Sequence, residues 1–135
     1  GEERPRLESM VRELGVERDA SLLGFVANPY ALMARAAAFV LSSAWEGLPT
    51  ALIEAIAVGT PVVATDCRSG PREILQGGRL GKLVRVGDVE QMARAIADVL
   101  SGYPRQVPSP SSLQAFTLGE AVERYITVFR RIQDE

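Results

Sequence analysis

Two glutamates separated by seven residues mark the stretch from Glu46 to Asp66, EGLPTALIEAIAVGTPVVATD. Between the acids at its two ends, Glu54 is the only ionisable side chain, set among apolar and neutral residues. Burying an unpaired carboxylate costs several kcal/mol, which is comparable with the stability of a whole domain. We therefore expect Glu54 to have a partner, either an arginine of the same chain or a ligand.

The helix that we predict around Glu54 begins without a capping side chain. Pro49 suits the first helical position, which places Leu48, a residue without a side-chain acceptor, at the N-cap. The backbone amides of Thr50 and Ala51 are then left without a local acceptor. Free amides at a helix start, supported by the helix dipole, bind anions such as phosphate. The alternative is that water or a neighbouring loop satisfies these amides.

Glu54 falls in the second turn of the same helix, near the ends of the predicted strands. An ionised carboxylate there accepts hydrogen bonds from a pair of hydroxyls, such as those of a ribose. The alternative is an internal salt bridge to Arg35, Arg68 or Arg72. Together, the helix-start amides and a diol acceptor on one helix predict a site for a nucleoside diphosphate.

Composition excludes several classes of function. The 135 residues contain no histidine and one cysteine, Cys67, which excludes Ser-His-Asp and Cys-His catalysis and a thiolate metal cluster within this chain. A formal charge of -2 provides no net field that attracts nucleic acid. No apolar run approaches the roughly 20 residues that cross a bilayer, and the amino terminus has no signal-peptide pattern. We expect a cytoplasmic protein, and the missing initiator methionine suggests that the chain begins inside a longer one.

The predicted elements alternate between strands and helices. Continuous apolar runs predict strands at Ser21–Val26, Ala38–Leu41, Pro61–Thr65 and, more weakly, Gly81–Val86. Helices are predicted at Pro5–Leu14, Tyr30–Ala37, Pro49–Val58, from Asp88 to Gly102 and from Thr117 onward, with a Pro/Ser loop at Pro104–Ser112. This order predicts an α/β fold with a Rossmann-like, doubly wound parallel sheet flanked by helices.

Two loops lie where such folds bind ligands, at the carboxyl ends of the strands. They are SSAWEGLPT and DCRSGP. The last helix carries an apolar stripe, which we expect to pack on the sheet of its own chain; an interfacial membrane helix is the alternative. The stripe consists of Val122, Tyr125, Ile126, Phe129 and Ile132.

The stretch EGLPTALIEAIAVGTPVVATD resembles the signature of the retaining glycosyltransferases of the GT-B fold, family 4 (group 1). The likeness extends through LLGFVANPYALMARAAAFVLSS before it and CRSGPREILQGGRLGKLVRVGDVEQMARAIADVL after it. The resemblance implies that residues 1–135 form the donor-binding domain of such an enzyme. It also implies that this domain lacks its first strand-helix unit, which supplies an arginine and a lysine to the diphosphate, and that the N-terminal acceptor domain is absent.

The same resemblance assigns roles to individual residues. Glu46 is similar to the catalytic glutamate that contacts the donor sugar, and Glu54 to the one that holds the ribose. Phe25 and Val26 are similar to the edge of the base pocket. The backbone that receives the sugar and the diphosphate is that of Gly47, Leu48, Pro49, Thr50 and Ala51.

The implied reaction is transfer of a hexosyl or N-acetylhexosaminyl group, with retained configuration, from a nucleoside-diphosphate sugar to a glycan or lipid-linked acceptor. The segment SGPREIL resembles enzymes of bacterial polysaccharide assembly that use UDP-sugars. Neither a metal nor a cofactor is implied, because helix amides and basic side chains stabilise the charge on the leaving diphosphate. The full-length enzyme is expected to associate peripherally with the inner face of the membrane, and this fragment alone to be inactive. A non-catalytic nucleotide-sugar-binding or assembly subunit of the same fold is the alternative.

Overall fold

The computed structural model describes residues 1–102 and 110–133. Three parallel strands form one sheet in the order β1 (Phe39–Leu41), β2 (Val62–Thr65) and β3 (Lys82–Val84). Val63 at the centre of the sheet lies opposite Val40 of β1 and Lys82 of β3. The three later predicted strands are therefore confirmed, each with shorter ends.

Helices connect and flank these strands. They are α1 (Arg4–Glu13), α2 (Pro29–Arg35), α3 (Thr50–Ala57), α4 (Pro71–Ile74), α5 (Val89–Leu100) and α6 (Leu118–Gln133), with short 3-10 turns at Gln76–Gly78 and Pro110–Phe116. The predicted cap of α5 is confirmed, because the Asp88 side chain accepts a hydrogen bond from the Gln91 amide at 2.9 Å. The Gln91 side chain accepts from the amide of Arg85, three residues before the cap. Most of the predicted Pro/Ser loop lies outside the described residues.

The core covers both faces of β2. Val62 and Ala64 pack with α3, whereas Val63 packs with Ala95 of α5. Successive residues of a strand point to opposite faces, so this pattern places a helix on each side of the sheet. All four residues of β2 are buried. The predicted α/β fold, with a doubly wound parallel sheet between helices, is confirmed.

The strand predicted at Ser21–Val26 is wrong. The segment has no sheet pairing in the structure, and its Leu22 carbonyl accepts a hydrogen bond from the Arg4 guanidinium at 3.0 Å. A strand is stable only beside another strand whose backbone groups it can pair. Within the described residues, β1 pairs with β2 alone and no strand lies on its other side. An apolar run is therefore insufficient here to make a strand.

The expectation that α6 packs on the sheet is also wrong. Most of its apolar stripe is exposed, with Ile126 half-buried, and the helix contacts the 3-10 turn Pro110–Phe116 that precedes it. Both faces of the short sheet are already covered by α3 and α5, so little apolar surface remains for a further helix. The exposed members of the stripe are Val122, Tyr125, Phe129 and Ile132.

Candidate functional site

The loop after β1 places Glu46 at the carboxyl end of the sheet. Its carboxylate is half-buried, and one oxygen, Oε1, accepts a hydrogen bond from the Ser43 hydroxyl at 2.6 Å. Among the residues that the structure describes, the second oxygen has no hydrogen-bond partner. The neighbouring Trp45 is 83% exposed. One oxygen of Glu46 is thus fixed by its own loop and the other is available to a ligand.

The end of β2 and the loop after it hold the loop after β1 in place. The hydroxyl of Thr65 donates to the Ser43 carbonyl at 2.5 Å, and the hydroxyl of Ser69 donates to the Glu46 carbonyl at 2.6 Å. Gly70 has a φ of +89°, and a Cβ there would lie 2.5 Å from Cδ of Pro49. Only glycine fits this position, because any side chain would collide with the ring and would strain the backbone.

An ion pair fixes the second loop at its two ends. Arg72, on α4, donates from Nε to Oδ1 of Asp66 at 2.9 Å and from Nη2 to Oδ2. The hydrogen bonds and charge of Asp66 raise the pKa of the Arg72 guanidinium above its ordinary value. The backbone amide of Asp66 also donates to the Val84 carbonyl at 2.6 Å. The support for the Glu46 loop is therefore itself anchored to both β3 and α4.

Helix α3 starts one residue later than predicted. Its N-cap is Pro49 and not Leu48, and proline provides no capping side chain. The Leu52 amide donates to the Pro49 carbonyl at 3.0 Å, but within residues 1–102 and 110–133 the amides of Thr50 and Ala51 have no acceptor. The predicted feature, a helix start with free amides, is present although its cap residue was misplaced.

Glu54 lies in the second turn of α3 and is half-buried. Its Oε1 accepts a hydrogen bond from the Tyr30 hydroxyl of α2 at 3.3 Å. In the described part of the chain, no ion pair joins Glu54 to Arg35, Arg68 or Arg72. The alternative of an internal salt bridge is therefore wrong for these residues, and the second carboxylate oxygen is available.

Phe25 and Val26 lie in the irregular segment before α2. Phe25 is 95% exposed and Val26 is half-buried. Where the structure describes the chain, neither residue has a hydrogen bond to the loops after β1 and β2. The structure therefore places Glu46 and the α3 start at the carboxyl end of the sheet and Glu54 one turn further along α3, whereas the role of Phe25 and Val26 stays a prediction.

Sequence reasoning missed the residues that position this site: Tyr30, Ser43, Thr65, Ser69 and Gly70. The two predicted ligand loops contain Ser43, Ser69 and Gly70, but their partners are distant in sequence and nothing local indicates them. The described residues contain no cluster of three or more potential metal ligands among His, Cys, Asp and Glu. None of the described helices combines the length and the hydrophobicity that a membrane span needs.

Residues 1–102 match the family model described as glycosyl transferases group 1. The chain belongs to this family. Among curated members, it is 37% identical over 94 residues to a Campylobacter jejuni enzyme. That enzyme is N-acetylgalactosamine-N,N'-diacetylbacillosaminyl-diphospho-undecaprenol 4-alpha-N-acetylgalactosaminyltransferase, and the match covers 70% of this chain and 26% of the enzyme. The chain is also 31% identical over 106 residues to the lipopolysaccharide 1,6-galactosyltransferase of Salmonella typhimurium, covering 76% of this chain and 30% of that one.

Solved structures show the same fold. The apo form of the lipopolysaccharide outer core galactosyltransferase WaaB matches with a TM-score of 0.84 at 27% identity, covering 97% of this chain and 39% of that chain. TarM matches with a TM-score of 0.81 at 21% identity, covering 93% of this chain and 26% of that chain. The predicted family and GT-B fold are confirmed. The chain spans less than two fifths of the length of each of the two relatives and two solved structures named above.

Proposed function

We propose that this chain is the donor-binding part of a retaining glycosyltransferase and that α3 binds the nucleoside diphosphate of its sugar donor. One observation supports this most: α3 has free amides in its first turn and, one turn later, a carboxylate without an ion pair among the described residues. Thr50 and Glu54 are about 6 Å apart along the helix axis at a rise of 1.5 Å per residue. The few bonds between the diphosphate and the ribose of one nucleotide bridge such a distance.

Each part of the site then has a role in the proposed reaction. The amides of Thr50 and Ala51 donate hydrogen bonds to the diphosphate and, with the helix dipole, stabilise the negative charge that grows on it as the sugar leaves. The free oxygen of Glu54 accepts from the ribose hydroxyls, and the free oxygen of Glu46 accepts from hydroxyls of the donor sugar. In this proposal the amides stabilise the charge of the diphosphate, and no metal or cofactor is required.

The proposed donor is a UDP-linked hexose or N-acetylhexosamine, transferred to a glycan or lipid-linked acceptor. Support comes from the relatives, which are named for transfer of galactose in lipopolysaccharide and of N-acetylgalactosamine on a diphospho-undecaprenol glycan. A TarM variant of the same fold is in complex with UDP. We further propose that a longer protein supplies a basic strand-helix unit and an acceptor domain, and that it contacts the membrane peripherally.

Titration calorimetry of the protein that contains this chain tests the proposal, with UDP, GDP and ADP as ligands. We expect UDP to bind most tightly, and to bind equally well in EDTA and in Mg²⁺. Absence of binding for all three nucleotides at millimolar concentration contradicts the proposed site. Binding that requires Mg²⁺ contradicts the metal-free arrangement. Binding of UDP-sugars without transfer or donor hydrolysis favours the alternative, a non-catalytic subunit.

A further inference from the structure

The peptide between Glu46 and Gly47 has a defined orientation. Its carbonyl oxygen accepts the hydrogen bond from the Ser69 hydroxyl at 2.6 Å. None of the described residues has a cis peptide bond, and in a trans peptide the carbonyl and the amide N–H point to opposite sides of the backbone. The Gly47 amide therefore points away from Ser69, and in the described residues it has no acceptor.

Ser69 belongs to a loop that is anchored to elements outside the loop it contacts. Asp66 is bonded to Arg72 of α4 and to the Val84 carbonyl of β3. Gly47 lacks a Cβ, and a Cβ built there would meet no atom within 4 Å, so its backbone dihedral angles are less restricted than those of other residues. The Ser69 hydroxyl therefore restrains the peptide, rather than following it.

We propose that Ser69 is a positioning residue, which orients the Glu46–Gly47 peptide so that the Gly47 amide donates to the diphosphate-sugar part of the donor. This inference rests on the proposed function. A donor amide that is already oriented loses less conformational freedom when the ligand binds. Without the Ser69 hydroxyl, the Glu46–Gly47 peptide samples other orientations. The Gly47 amide then points towards the ligand for only part of the time.

Calorimetry with two nucleotides distinguishes this positioning role of Ser69 from a general effect of Ser69 on the structure of the loops. UDP has the second phosphate that the Gly47 amide meets, whereas UMP lacks it. A neutral hydrogen bond contributes about 0.5–1.5 kcal/mol, so Ser69→Ala is expected to weaken UDP binding about two- to tenfold. UMP binding is expected to stay within twofold. Ser69→Thr keeps the hydroxyl and is expected to restore UDP affinity.

Ser101 supplies a matched control. Its hydroxyl also donates to a backbone carbonyl, that of Ala97 at 2.8 Å, but it lies at the end of α5, outside both loops. Ser101→Ala is expected to bind UDP and UMP as the parent does. A second readout is the ¹⁵N–¹H resonance of Gly47, which is expected to shift with UDP in the parent and to shift much less in Ser69→Ala.

Several results overturn the inference. Parent-like UDP binding by Ser69→Ala does so, and so does an equal loss of UDP and UMP affinity, which indicates a merely structural role. If Ser69→Ala fails to fold, a Gly47 resonance in the parent that does not respond to UDP overturns it. If the parent binds no nucleoside diphosphate, the proposed function fails first and this inference fails with it. Parent-like binding in Ser69→Ala leaves the proposed function intact.

Discussion

Replacing Glu54 by glutamine tests the assignment of this residue to the ribose. The variant Glu54→Gln has nearly the same shape and leaves one oxygen that still accepts hydrogen bonds. It removes the charge and converts the other oxygen to an NH₂ group, which cannot accept. In the structure the only described hydrogen bond of the Glu54 carboxylate is from the Tyr30 hydroxyl, so no ion pair among the described residues is broken by the change.

The expected loss of binding free energy follows from the type of hydrogen bond that the substitution removes. Hydrogen bonds to a charged acceptor contribute about 1.5–3 kcal/mol, against about 0.5–1.5 kcal/mol for neutral pairs. Glu54 is only half-buried, so solvent weakens its hydrogen bonds to the ribose. We therefore expect a loss of binding free energy of about 1–2 kcal/mol. This corresponds to UDP binding that is about five- to thirtyfold weaker. Inorganic pyrophosphate has no ribose, so its affinity is expected to change by less than twofold.

The assay is titration calorimetry of the parent and of Glu54→Gln with UDP and with pyrophosphate. Glu123→Gln serves as the matched control, because Glu123 is an exposed glutamate on α6, far along the chain from the site. It is expected to bind both ligands as the parent does. Equal losses of UDP and pyrophosphate affinity in Glu54→Gln, or no loss of either, refute the ribose assignment.

Two predictions concern the stability of the scaffold, both measured by urea unfolding. Gly70→Ala is expected to cost at least about 2 kcal/mol, because it adds a collision with Pro49 to the strain of a positive φ. Gly59→Ala, with a φ of +81° and open space, is expected to cost about 1 kcal/mol, and an equal cost at both sites contradicts the packing of the two loops. Leu52→Ala, at a fully buried site, is expected to cost about 2–5 kcal/mol. The exposed Leu118→Ala is expected to stay within about 0.5 kcal/mol of the parent, and similar effects for the two leucines contradict the assigned core.

The parts of the fold that the sequence predicted well are those whose partners are close in the chain. The apolar runs around β1 and β2 and the helix between them follow one another, so their pattern also identifies the neighbours that bury them. The segment Ser21–Val26 and helix α6 are equally rich in apolar residues. Among the described residues, however, Ser21–Val26 has no neighbouring strand to pair with, and α6 has no free face of the sheet to pack on. Periodicity predicts which side of an element is apolar, but it does not predict what covers that side.

The site was predictable to a similar extent. The uncapped start of α3 and the absence of other ionisable residues near Glu54 are visible in the sequence because they depend on residues within one or two turns. That Glu54 has no ion pair with a distant arginine among the described residues was not visible there. The hydrogen bond from Ser69 to the Glu46 carbonyl joins residues 23 positions apart, and the one from Tyr30 to Glu54 joins residues 24 apart. Such contacts depend on which strands pair and in which register, so they emerged only with the three-dimensional arrangement.

The most direct test of the central claim is a crystal structure of the protein with UDP bound. We expect phosphate oxygens about 2.7–3.2 Å from the amides of Thr50 and Ala51, the usual range for such hydrogen bonds. We also expect the ribose hydroxyls on the free oxygen of Glu54. UDP bound elsewhere on the chain, or Glu54 turned away from the nucleotide towards an arginine, contradicts the account.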